Sequence, residues 1–281
     1  MAKVAIVTDS TVCIPQELSN PYPITVIPQV LVWGEETFLD GVDIQPKAFY
    51  ERLAKASVMP KSSQASPAAF EKVFRELLAQ DFHVLTVVLS AKLSGTLTSA
   101  LLAKENIGAD APIEVVDSHF VAMAMGFQAL AAAKASVQGA TLAECKALVE
   151  ATRERCGIFL TVDTLEFLHR GGRIGGASRF IGTAFNIKPV LKIEGGRVEP
   201  VERVRTRSKA LQRVVELVGE HVGQKPLHIS ALNANAPADA QQMLDMVVSR
   251  MNVVEHGLSD LSPVIGANAG PGTVGLAYMY D

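Results

Sequence analysis

The segment Val84-Leu85-Thr86-Val87-Val88-Leu89 is a nearly unbroken apolar run rich in β-branched residues. It passes through Ser90 to Thr96 into a helix-forming tail from Leu97 to Lys104. A run without polar alternation marks a strand covered on both faces. Such a strand needs helices above and below it, which confines the chain to α/β architectures. The turn itself, Ser94-Gly95-Thr96, gathers hydroxyls and free backbone N–H groups where a helix begins, a place that favours an anion. The same residues are also the ordinary choice for a helix N-cap.

Two further segments repeat the strand-to-polar-turn pattern. Ala5 to Thr8 runs into Asp9-Ser10-Thr11, and Pro112 to Val116 runs into Asp117-Ser118. Carboxyl ends of strands are where open α/β sheets collect ligand groups, although Asp9 serves equally well as an Asx turn. Helices are expected over Pro46 to Ala56 and over Pro67 to Gln80, the latter capped by Ser66 with Pro67 at its first position. Ser62 and Ser63, in the polar loop Pro60 to Pro67, are hydroxyls which that cap does not need. Others are expected from Val121 to Gln138 and from the capping box Thr141–Glu144 onward. Ile24 to Val32 and Phe38 to Asp43 read as extended pieces that can pack with either half of the chain.

A second α/β unit is expected from Gly157. It has a short helix over Thr164 to Arg170 stopped by Gly171-Gly172, and a further helix over Ser178 to Phe185. A hairpin turns at Glu194-Gly195-Gly196, and an amphipathic helix after Thr206 or Ser208 points Leu211, Val214, Val215, Val218 and Val222 inward. Leu227 to Leu232 is read as a strand and Ala236 to Val248 as a helix. The end, Pro263 to Tyr278, reads as strand, glycine-rich loop, strand. The expected domains are 1–156 and 157–281, with 24–56 able to pack on the second. The fold class is a mostly parallel, helix-covered sheet followed by a domain with a mixed or antiparallel sheet.

Several functions are set aside by absent motifs. There is no GxxxxGK[ST] phosphate loop, no GxGxxG after a first strand, and no GxSxG around Ser94. The six histidines are scattered without metal-ligand spacing, so neither a metal nor a cofactor is expected. A net charge of −3 with interspersed acids and bases argues against nucleic acid. The opening residues read as a strand rather than a signal peptide, and Phe120 to Ala133, interrupted by Gln128, falls short of a membrane span. With three cysteines and no CxxC pair, the expected location is the cytoplasm. What remains are small polar groups at loop tips, Ser62, Ser94, Thr96 and Asn268, with glycines that let backbone approach a ligand. Arg170 and Arg173 bracket Gly171-Gly172, and Arg203, Arg205 and Arg207 recur at every second position, as on a solvated edge or a phosphate-facing patch.

Taken together, seven segments resemble the DegV family of bacterial fatty-acid-binding proteins. They are Thr8 to Thr11, Ser62 to Pro67, Leu93 to Thr96, Val116 to Ser118, Asp163 to Ile174, Asn186 to Leu191 and Gly266 to Gly272. They run in family order along essentially the whole chain. The resemblance implies a two-domain protein holding one long-chain fatty acid, palmitate-like, between its domains. It has no catalytic residue of its own and in some members presents the carboxylate to a separate ATP-using fatty-acid kinase subunit. It places carboxylate contacts on Ser62, where many members have Thr, and on Ser94, beside which Gly95 and Thr96 are further ligand-binding candidates. The last contact falls on Asn268 beside Ala269, where the family has His. It matches Arg205 to an arginine near the phosphate-transfer face, with Arg170 and Arg173 as further partner contacts. An amide offers only neutral donors, roughly half as strong as an imidazolium. The alternative reading is a phosphotransferase, or another enzyme acting on a small polar anion, which requires a short, wet pocket.

Overall fold

The computed structural model describes residues 3–182 and 187–281. Along the first half run β1 (Val4–Asp9), α1 (Gln16–Ser19), β2 (Ile24–Ile27), β3 (Val30–Trp33), β4 (Glu36–Leu39), α2 (Pro46–Leu53) and β5 (Lys61–Ser63). They are followed by α3 (Pro67–Leu78), β6 (His83–Val88), α4 (Thr96–Ile107), β7 (Ile113–Asp117), α5 (Ala122–Val137) and α6 (Leu142–Arg153). The second half contains β8 (Cys156–Thr161), α7 (Glu166–Arg170), β9 (Lys188–Glu194), β10 (Arg197–Val204) and α8 (Arg207–Val222). It closes with β11 (Leu227–Asn233), α9 (Pro237–Val248), β12 (Val253–Asp260), α10 (Pro263–Ala269) and β13 (Val274–Tyr280).

Three sheets result. The first is wholly parallel, in the order β2-β1-β6-β7. The second is mixed, in the order β10-β9-β8-β13-β11-β12, with only β11 and β12 parallel. The third is a small antiparallel sheet, β4-β3-β5. The fold is thus α/β with a parallel helix-covered sheet and a mixed second sheet, as the strand pattern implied. The chain changes sheets between the end of α6 and the start of β8.

Helix α5 accounts for how the layers are stacked. Its run Ala122 to Ala133 is almost entirely alanine, methionine and glycine and is buried on every side except at Ala131. Small side chains let a helix lie between two sheets at close range, and α5 touches β1 and β6 on one side and β8, β11 and β13 on the other. One continuous apolar core therefore joins Ile6 and Leu85 of the parallel sheet to Ile158, Leu191 and Ala277 of the mixed sheet. Helices α3 and α4 cover the outer face of the parallel sheet, and α8 and α9 cover the outer face of the mixed one.

Within Ile24 to Ala56, β2 joins the parallel sheet, whereas β3 and α2 pack against α10. Three readings are corrected by the structure. Lys61–Ser63 is a strand of the small sheet and not a polar loop. The segment read as a strand at Pro263 is helix α10, because Ser262 accepts the Ile265 N–H and Pro263 sits in the first turn. The helix read over Ser178 to Phe185 is a 3-10 helix, Gly175–Phe180; Thr183 to Asn186 lie outside the described residues. Strand β12, which the sequence reading passed over, forms an edge of the mixed sheet.

Candidate functional site

In the parallel sheet, the chain leaves β1 for β2 on one side and later adds β6 and β7 on the other. The carboxyl ends of β1 and β6 therefore form a switch point, the usual location of ligands in open α/β sheets. Asp9 ends β1 there, fully buried. Its Oδ1 accepts the Thr11 N–H at 2.9 Å and the Thr11 hydroxyl at 2.5 Å, and its Oδ2 accepts the Leu89 N–H at 2.9 Å. Burial raises its carboxyl above the ordinary carboxylate range, against these donors. Asp9 thus ties the ends of the two central strands together and caps the 3-10 turn Ser10–Val12.

Beyond these ends lies a cavity with about 910 Å³ of empty space, part of it open to solvent. Its walls are aliphatic: Leu89 and Leu93 after β6, Ile158 and Leu160 of β8, and Ile193 and Val198 of the β9–β10 hairpin. Leu168 of α7, Leu232 of β11 and Val264 and Ile265 of α10 complete them. The polar groups are few: Thr11, Gln29, Ser62, Ser63, Gln64, Ser94, Arg173, Asn268 and Thr273. The parallel sheet, the mixed sheet and the small sheet each contribute a wall.

Ser62, Ser94, Asn268 and Ala269, singled out in the sequence, all line this cavity. Thr96 is among those residues but does not line it; it is fully buried behind Ser94, the two hydroxyls being 2.9 Å apart. Gly95 lies between them as the N-cap of α4, and a Cβ there would meet the Gln64 amide at 3.1 Å. That close approach sets the Ser94 turn against the β5–α3 segment carrying Ser62.

The role open to Asn268 follows from its bonds. Its Nδ2 donates to the Val264 carbonyl and to Ser62 Oγ, both at 2.9 Å. A carbonyl can only accept, so it fixes which end of the amide is nitrogen. With both amide protons committed, Asn268 acts on the cavity by making Ser62 an acceptor, which leaves the Ser62 proton free for another partner.

Of the three arginines, Arg173 alone lines the cavity. Its Nε donates to the Leu93 carbonyl at 3.0 Å and its Nη1 to the Gly171 carbonyl at 2.5 Å. Among the described residues no carboxylate lies within ion-pair distance of it, so its charge is uncompensated beside the cavity. Arg170 turns outward to an exposed ion pair with Glu166 at 2.6 Å. Arg205 borders a separate, more polar cleft with Asp163, Glu166, His169 and Lys188.

Sequence reasoning missed Gln29 and Asp40. Gln29 sits after β2, 1% exposed, with its Nε2 donating to Thr96 Oγ1 at 2.9 Å and its Oε1 accepting the Ala65 N–H at 2.8 Å. Asp40 accepts the Ser10 hydroxyl at 2.6 Å and the Val264 N–H at 3.4 Å, and burial pushes its carboxyl up to about 6. The only sequence signal was that both are polar residues next to apolar strands. Among the described residues no cluster of three His, Cys, Asp or Glu stands in metal-binding geometry, and no helix is long and apolar enough to cross a membrane.

The fold and cavity define a layered α/β protein of three sheets that enclose a mostly aliphatic cavity with a few polar groups. The chain belongs to the DegV family, whose model matches residues 3–281 under the description "Uncharacterised protein, DegV family". It is 36% identical over 275 residues to a DegV domain-containing protein of Streptomyces coelicolor, covering 97% of each chain. It is 32% identical over 280 residues to Protein DegV of Bacillus subtilis, covering 99% of each. Among solved structures it resembles a DegV family protein from Thermus thermophilus described for its fatty acid binding, with TM-score 0.92, 32% identity and coverage of 99% and 100%. It also resembles DegV from Bacillus subtilis, described as a fatty acid binding protein, with TM-score 0.90, 31% identity and full coverage of both chains.

Proposed function

We propose that this protein binds a long-chain fatty acid in the cavity between its sheets, with the carboxylate at the Ser62–Ser94 end. The observation that carries this reading is the character of the lining: a mostly aliphatic wall whose few polar groups include the Ser62 and Ser94 hydroxyls and the guanidinium of Arg173, which has no carboxylate partner among the described residues. A small polar anion would leave that wall wet. Burying a sixteen-carbon chain at about 0.8 kcal/mol per methylene gives roughly 10 kcal/mol gross. Part of this is offset by immobilising the chain, so submicromolar affinity is expected. Arg173 supplies the positive charge that the amide of Asn268 lacks.

The reading assigns no catalytic residue. The protein presents the acid to a separate kinase subunit in the cytoplasm, with Arg205 and Arg170 on the outer face as partner contacts. Residues 1–156 and 157–281 are its two domains. Structural relatives described as fatty acid binding support the ligand class.

Mass spectrometry of lipid extracted from purified protein, with melting curves on adding palmitate, tests the reading. A co-purifying acyl chain and a palmitate-dependent rise in Tm are expected. An empty extract with no shift, or a shift with sugar phosphates alone, overturns it.

A further inference from the structure

We infer that Gln29 is the positioning residue that makes Ser94 a proton donor to the cavity, and thereby makes the site select an acidic headgroup over a neutral one. This inference rests on the fatty-acid reading above and concerns how its polar end works.

Hydrogen-bond direction fixes the role of each group. The Ala65 backbone N–H can only donate, so the Gln29 atom 2.8 Å from it is the carbonyl oxygen, and the amide nitrogen faces Thr96. Gln29 Nε2 therefore donates to Thr96 Oγ1 at 2.9 Å. The single Thr96 hydroxyl proton has two possible acceptors: Ser94 Oγ at 2.9 Å, or Gln29 Oε1 at the longer 3.3 Å, which already serves Ala65. The shorter contact is favoured, 3.3 Å being long for an O–H···O bond, so Thr96 donates to Ser94. Ser94 Oγ also accepts the Thr96 N–H at 3.3 Å. With both its acceptor positions facing Thr96, Ser94 has its own proton left for the cavity.

Asn268 does the same for Ser62 directly. Two amides on opposite sides of the site thus polarise two hydroxyls inward. A carboxylate, which only accepts, matches two inward protons; an alcohol must compete as donor and acceptor and gains less. Gln29 is also held through its backbone: it is buried, Asp40 N–H donates to its backbone carbonyl at 2.9 Å, and Ser10 Oγ accepts its backbone N–H at 3.0 Å. Its position is fixed before any ligand arrives.

The test measures palmitate and hexadecanol affinities for the parent, Gln29→Leu, Thr96→Val and Thr96→Ser. The parent is expected to prefer palmitate. Gln29→Leu and Thr96→Val should each weaken palmitate by about tenfold while leaving hexadecanol unchanged, and Thr96→Ser should keep the parent's preference. Thr96 does not line the cavity, so an effect there travels through its hydrogen-bond partners Ser94 and Gln29. If Gln29→Leu does not fold, the two Thr96 variants decide alone. Equal loss for both ligands, or a preference surviving in Thr96→Val, overturns the inference while leaving the fatty-acid reading intact. A parent that binds neither ligand overturns that reading and this inference with it.

Discussion

The side-chain oxygen of Asn268 rests against the α-carbon of Gly171: a Cβ built on Gly171 would lie 2.3 Å from Asn268 Oδ1. The backbone of Gly171 is right-handed helical, so alanine suits its conformation and only the contact forbids it. Gly171→Ala is therefore expected to leave α7 intact but to displace the Asn268 amide from Ser62. Fatty-acid affinity should fall by about tenfold, the loss of one hydrogen bond to a charged group. A double-mutant cycle with Asn268→Ala checks the route. In the Asn268→Ala background, Gly171→Ala should change affinity little; additive losses would place the effect elsewhere.

Ser94 is the second hydroxyl of the polar end. Ser94→Ala should weaken palmitate binding by about 1–3 kcal/mol, because a buried carboxylate loses a donor that water cannot replace in the slot. Titration calorimetry reads this directly. Unchanged affinity would place the carboxylate away from the switch point.

Much of this arrangement could be read from the chain because its strongest signals are local. The apolar run of β6, the capping box of α6 and the Gly195-Gly196 hairpin each state their structure within a few residues. Ser62, Ser94 and Asn268 stand out in the sequence as small polar groups, although Ser62 lies in β5 and Asn268 in α10 rather than at loop tips. Their meeting was not legible, since the Asn268–Ser62 bond spans 206 positions and depends on α10 packing beside β5. α10 itself was mistaken for a strand because Val264 and Ile265 outweighed the Ser262–Pro263 start signal. β5 was missed because three residues paired on one side leave no periodicity to detect. Gln29 carried no sequence mark beyond being polar beside an apolar strand. A buried amide whose partners lie 36 and 67 positions away is defined only by the sheet order that brings β2, β5 and α4 together.

The two larger sheets are tied at the cavity rim by Ser90, whose hydroxyl donates to the Gly196 carbonyl at 2.6 Å. Gly196 has φ +82°, and a Cβ there would fall 2.5 Å from Ser90 Oγ. Ser90→Ala should cost about 1–3 kcal/mol of unfolding free energy by leaving a carbonyl unpaired. Gly196→Ala should cost more, since roughly 1–2 kcal/mol of left-handed strain adds to the clash. Urea denaturation of both variants checks the order; a milder Gly196→Ala would show that the hairpin can shift at little cost.

Asp40 joins three parts of the site: its side chain accepts from Ser10 after β1 and from Val264 at the start of α10, and its backbone N–H donates to Gln29. Burial holds its carboxyl at about 6, above the value near 3.8 expected in the unfolded chain. Between those two values the folded state therefore binds the proton that the unfolded state has released, and stability falls as pH rises. Below about 4 the contribution is complete, and above about 6 it is lost. Asp40→Asn removes this titration while keeping an oxygen to accept the Val264 N–H. Relative to that variant, the parent should lose up to about 3 kcal/mol between pH 4 and pH 7, the equivalent of two pKa units at a buried site. Asp9, raised in the same direction, is present in both proteins and largely cancels in the comparison. Paired denaturation curves across that range provide the measurement. Parallel stability profiles for the two proteins would mean that the Ser10 and Val264 bonds fully compensate the burial of the charge.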